Sequence, residues 1–122
     1  MKDVLGLGVD IVDVRTMAGI IKGKAGKSFI KKTFTGKEIS YAKESAQKLA
    51  AIFAAKEATF KAFGTGWQNG KSVEVVHGRN GAPNLRLHGK TDSLAKKIKI
   101  KKVLLSLSYT ESSAIAAVII SE

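Results

Sequence analysis

The chain contains no cysteine, a single proline and few aromatic residues, 7% of the total. Without cysteine there are no disulfides and no thiolate metal ligands, which fits a reducing, cytoplasmic setting. No uninterrupted apolar run approaches the roughly 20 residues of a membrane-spanning helix. The opening MKDVLGLGVDIV carries Asp3 and Asp10 around and within its apolar stretch, which makes a poor leader peptide and a good strand. Arginine is scarce as well: Arg15, Arg79 and Arg86 are three of the 21 cationic residues. Base reading leans on arginine and single-strand binding on stacked aromatics, so a nucleic-acid-binding module is the weaker reading of this chain. Negative charge is in short supply too, ten Asp and Glu, leaving a net charge of +11. Such a lysine-rich surface attracts anionic partners such as acidic proteins or phosphorylated small molecules.

The length of 122 residues suits one domain spanning 1–122. Residues 4–12 are β-branched and apolar, a buried strand. Asp13 caps a helix that follows, with Val14, Met17, Ala18 and Ile21 at helical spacing, and GKAGK interrupts it before residue 31. Thr35 with Glu38 three residues later matches a capping box, opening a short helix over 36–46. The longest helix runs over 47–63 and stops at Gly64. The period then changes: 72–77 and 84–89 alternate around the turn GRNGAP, a hairpin. One or two helical turns follow over 91–97, and 103–109 and 114–120 are further strands. The sum is an α+β fold, with a mainly antiparallel sheet of about five strands against one long helix and shorter ones.

On the long helix, Ala50, Phe53, Ala54, Phe60 and Lys61 fall within about 60° of Glu57. Lys48 and Lys56 fall on other faces, where solvent is expected. A Glu–Lys pair at i, i+4 is ordinarily a weak solvated contact. Glu57 instead sits among small apolar side chains that leave room for a ligand. Asp10 lies deep in an apolar strand and needs a partner. Two carboxylates with few histidines suit a hard cation such as Mg²⁺, held by one or two carboxylates plus substrate phosphates. Lys61 and the backbone of Gly64-Thr65-Gly66 are candidates for the phosphate side. Ser106, Ser108 and Thr110 alternate, so their hydroxyls line one face. His77 and His88 read as hairpin residues without a role.

In register along nearly the whole chain, these residues resemble the small bacterial 4′-phosphopantetheinyl transferases of the holo-acyl-carrier-protein synthase family. The family pattern G-x-D-I-V is Gly8 to Val12, with Arg15 following at a shorter gap than usual. F-T-x-x-E-x-x-Y is Phe34, Thr35, Glu38 and Tyr41. The most specific stretch, FAAKEATFKAFGTG, is Phe53 to Gly66. The G-x-P-x-L turn is Gly81, Pro83 and Leu85, and the C-terminal S-x-S pattern is Ser106 and Ser108 before Thr110. The resemblance implies transfer of phosphopantetheine from coenzyme A to a serine of acyl carrier protein, in fatty acid biosynthesis, with release of adenosine 3′,5′-bisphosphate. It implies Asp10, Glu57 and Lys61 as the catalytic set and Mg²⁺ on Asp10 and Glu57. Lys61, Gly64, Thr65, Gly66, Pro83, Ser108, Tyr109 and Thr110 are implied to contact coenzyme A, and Arg15 the carrier protein. It further implies a homotrimer with interfacial active sites. Two positions depart from the pattern: Tyr109 stands where the family commonly has histidine, and Ile52 where it often has a basic residue. A carrier-binding homologue with impaired catalysis is the alternative reading, and Tyr109 is its only support.

Overall fold

The structure is a computed structural model and describes residues 3–122. It runs β1 (Val4–Asp13), α1 (Val14–Lys22), α2 (Gly26–Thr33), α3 (Gly36–Ala42), α4 (Ala46–Phe63), β2 (Val73–His77), β3 (Pro83–Leu87), α5 (Gly89–Lys97), β4 (Lys102–Tyr109) and β5 (Ser113–Ser121). A short 3-10 turn, Gly70–Ser72, leads into β2. The local signals act as expected. The Asp13 side chain accepts from the Thr16 amide at 2.8 Å, and Thr35 and Glu38 form a complete capping box. Gly64, at φ +73°, closes α4 in the left-handed conformation that glycine adopts without strain.

All five expected strands are present and their pairings are antiparallel, divided between two sheets. One sheet has the order β1-β5-β4; β2 and β3 form the other. α4 lies across the inner face of the three-stranded sheet, and the core is built between them from Ala50, Ala54, Ala58, Ala114, Ala116 and Val118. Small side chains meet small side chains here, so backbones approach closely. A Cβ on Gly8 would fall 1.8 Å from the Ala58 carbonyl oxygen, and one on Gly6 2.0 Å from that of Ala62. The glycines of β1 therefore set how near α4 can come, and Asp10 is the next residue along that same face.

The outer face of this sheet is apolar and uncovered. Leu7 is 62% exposed and Ile11 67%, and Val9, Leu104 and Ile115 are exposed beside them. Strand register puts Ser106 opposite Ala117 and Val9, and Ser108 opposite Ile115 and Ile11, on this outer face. No helix among the described residues is long and apolar enough to cross a membrane.

Candidate active site

Asp10 and Lys61 meet where β1 passes under the last turn of α4. Lys61 Nζ donates to Asp10 Oδ1 at 2.9 Å and to the Val9 carbonyl at 3.2 Å. The pair is open to solvent on the lysine side, with side chains 51% and 15% exposed. The hydrogen bond and charge of Asp10 hold the Lys61 ammonium above its ordinary pKa. Glu57 stands one turn earlier on α4. Partial burial pushes its pKa up, Asp10 adds to the rise, and Lys61 opposes it. Lys61 bonds the strand carboxylate Asp10 and not its i, i+4 neighbour Glu57, which has no hydrogen-bonding partner among the described residues. A carboxylate so placed is primed to bind a proton or a cation.

Glu57 opens into a cleft of about 670 Å³, walled by Phe29, Phe53 and Trp67 with Lys32 and Lys71 at its rim. Trp67 stacks on Phe53 at 5.0 Å between centroids and meets Phe60 edge-on at 5.3 Å. A second cleft of about 710 Å³ continues on the other side of Trp67 and Lys71 toward His88 and Lys90. Phe29, Trp67 and the 68–71 stretch were not singled out in the sequence. The available signal was the one tryptophan of the chain, set between a glycine and the polar Gln-Asn-Gly turn.

Within one chain, the other expected site residues scatter. Gly64 and Gly66 form the helix stop, and Thr65 lines a small separate cleft with Phe63 and Lys90. The Thr110 hydroxyl accepts from the Ser112 and Ser113 amides and so closes its own turn. Tyr109 lies on the inner side of β4 in a narrow crevice with Tyr41, Lys48, Ile52 and His77. There Tyr41 stacks on His77 at 3.7 Å, and Lys48 Nζ stands 4.8 Å from the Tyr41 ring centre. Burial, with Lys48 adding to it, pushes the His77 pKa down. Ser108 faces the opposite side of the sheet from Asp10 and Glu57, Pro83 begins β3 in the other sheet, and Arg15 is exposed on α1. Ile52 is buried in the core and borders the same crevice as Tyr109.

Lys56 corrects the sequence reading outright. Expected to be solvated, it is fully buried, as is its partner Glu38. Its Nζ donates to both Glu38 oxygens, at 2.8 and 2.9 Å, and to the carbonyls of Gly70 and Val73. Beside it, Glu74 accepts from the Thr35 hydroxyl at 2.6 Å and pairs with His88 at 3.0 Å, so His88, given no role from sequence, has a structural one.

No group of three or more His, Cys, Asp or Glu side chains that could hold a metal occurs among the described residues. Asp10 and Glu57 alone supply the oxygen donors. That set fits a hard divalent cation that keeps water and substrate phosphate as its remaining ligands, and no softer metal.

The sequence model of the 4′-phosphopantetheinyl transferase superfamily matches residues 6–118. A relative from Solibacter usitatus, holo-[acyl-carrier-protein] synthase, is 40% identical over 96% of this chain and 98% of its own length. The crystal structure of holo-[acyl-carrier-protein] synthase from Neisseria meningitidis superposes with a TM-score of 0.89 at 28% identity, covering 98% of this chain and 100% of that one. The enzyme of the same name from Bacillus anthracis, solved with coenzyme A (3′,5′-ADP), gives a TM-score of 0.77 at 26% identity over 96% of each chain.

Proposed function

Since the chain belongs to the 4′-phosphopantetheinyl transferase superfamily, a family of enzymes, we propose that it transfers the 4′-phosphopantetheine group of coenzyme A to a serine of acyl carrier protein, in a magnesium-dependent reaction. The whole of 1–122 acts as one catalytic domain, in the cytoplasm with its substrates. The observation that supports this most is the Asp10–Lys61 pair set beside Glu57, which itself lines an aromatic cleft.

In this reading the serine oxygen attacks the phosphorus that carries the pantetheine arm. A new P–O bond forms as the bond to the bridging pyrophosphate oxygen breaks, and adenosine 3′,5′-bisphosphate leaves with the electron pair. Lys61, kept charged by Asp10, stabilises negative charge growing on the leaving phosphate. Glu57 directly, or a water beside it, accepts the serine proton. Asp10 and Glu57 would hold the Mg²⁺, which supplies Lewis-acid neutralisation of the phosphate oxygens when bound. Arg15 on α1 and the lysine-rich surface receive the acidic carrier protein.

We further assign the uncovered apolar face of β1, β5 and β4 to contact between copies of the chain, as a homotrimer. Exposed Leu7, Val9, Ile11 and Ile115 form a contiguous patch of the kind that soluble monomers seldom leave open. A boundary on that face brings Ser108 to a neighbouring subunit, which would explain why coenzyme A contacts scatter within one chain.

The test is to incubate the purified protein with apo-acyl carrier protein, coenzyme A and Mg²⁺, with an EDTA control, and weigh the carrier by mass spectrometry. A metal-dependent gain of one phosphopantetheine is expected. Binding of coenzyme A without transfer would favour the impaired homologue and implicate Tyr109; no binding at all would remove the reading. Light scattering should give three times the chain mass, and a monomer would refute the trimer.

A further inference from the structure

We propose that Lys56 is a positioning residue, which from inside the fold holds the Trp67–Lys71 wall of the cleft in place opposite Glu57. The inference rests on that cleft being the active site. Consecutive residues of a helix diverge by about 100°, so Glu57 enters the cleft while Lys56 enters the interior behind it. An ammonium has three protons, and Lys56 directs them at four acceptors: both oxygens of Glu38 and the carbonyls of Gly70 and Val73. Glu38 is itself held by the amides of Thr35 and Val75, each at 2.8 Å. The backbone on both sides of the 3-10 turn is thus tied to one nitrogen.

That turn has no slack. A Cβ at Gly70 would fall 2.5 Å from the Thr33 carbonyl oxygen and 3.1 Å from the Trp67 ring. Thr33, Trp67, Gly70 and Lys71 all face the cleft that Glu57 enters. A buried ion pair is seldom the most stabilising filling for such a space; an apolar pair of similar volume often does as well. What an apolar side chain cannot do is grip two carbonyls of an irregular segment. The pair therefore makes the loop specific in position, and the cleft inherits its shape.

The experiment uses the full chain with Glu38→Gln and Lys56→Met together, which removes both charges and leaves no carboxylate stranded. Trp67, the only tryptophan, reports on the wall directly. The double variant should keep its far-UV circular dichroism, show more acrylamide quenching of Trp67, and raise KM for coenzyme A or carrier protein about tenfold while kcat changes little. A folded double variant with unchanged quenching and unchanged KM would overturn the proposal. If the double variant does not fold, ¹⁵N relaxation of the unaltered protein decides: the amides of Trp67, Gly70 and Lys71 should be as rigid as those of α4, and a mobile wall counts against Lys56. Both wall measurements hold even if the unaltered protein shows no transferase activity, so failure of the proposed function is told apart from failure of this inference.

Discussion

Two lysine–carboxylate pairs stand five residues apart on α4, and their surroundings give them opposite work. Lys56 and Glu38 have no exposed side-chain surface, and every polar atom of the pair has a partner. Lys61 and Asp10 lie at the protein edge, the lysine half exposed, beside a Glu57 that has no hydrogen-bonding partner among the described residues. The buried pair has closed its valences and can only hold structure. The exposed pair retains donors, a neighbouring carboxylate of raised pKa and access to solvent, which is what a substrate phosphate and a cation need. Completeness of hydrogen bonding, more than the presence of charge, separates the structural pair from the one proposed for catalysis.

The sharpest way to test that contrast is to break each pair in turn. Lys56→Ala strands Glu38 in the core and should cost about 3–5 kcal/mol of stability, read by urea unfolding; a loss typical of a surface lysine would contradict the buried pair. Glu57→Gln or Asp10→Asn should lower turnover about 100- to 1000-fold, with the circular dichroism spectrum intact. Full activity in either would remove that carboxylate from the site. Lys61→Ala should reduce kcat about tenfold or more, with no change in melting temperature; the reverse pattern would make the pair structural after all. Gly8→Ala pushes α4 away from β1 and should cost about 1–3 kcal/mol while lowering activity through the displaced Lys61. An unaltered crystal-quality fold with full activity would show that the contact has room.

The smallest effect concerns pH. The folded-state pKa of Glu57 lies above its unfolded value, so its contribution favours the folded state below the unfolded pKa of about 4.3 and is lost as pH rises through the folded value. Glu57→Gln should therefore gain stability relative to the parent protein near neutral pH and lose that gain in acid. A difference independent of pH would mean that Glu57 is not desolvated. Activity should run the other way, rising with pH as Glu57 ionises.

The candidate site was legible to the extent that it lay in local pattern. Asp10 is conspicuous as a carboxylate within an apolar strand, and Glu57 as one among alanines, because such placements are unfavourable without a partner. Lys56 was misread because helical angle alone assigns it a direction, and nothing local says that α3 and the 70–73 segment fold over that side. Trp67 and the cleft wall were missed for a similar reason: an irregular loop has no period, and its course depends on Gly70 wedging against Thr33. Ser108 alternates with Ser106 as read, yet register in the sheet, which pairs β4 with β5 and β5 with β1, sends it to the outer face.

The elements of the chain, their caps, the helix that carries Glu57 and Lys61, and the family pattern itself were written in the sequence, since each depends on residues within a few positions of one another. Which lysine is buried, which carboxylate Lys61 bonds and where the cleft opens were decided only when distant segments packed. The partners of Lys61 and Lys56 lie 51 and 18 residues away, and at those separations side-chain type constrains what a contact would do, while the packing of β1 and of α3 against α4 decides whether it forms.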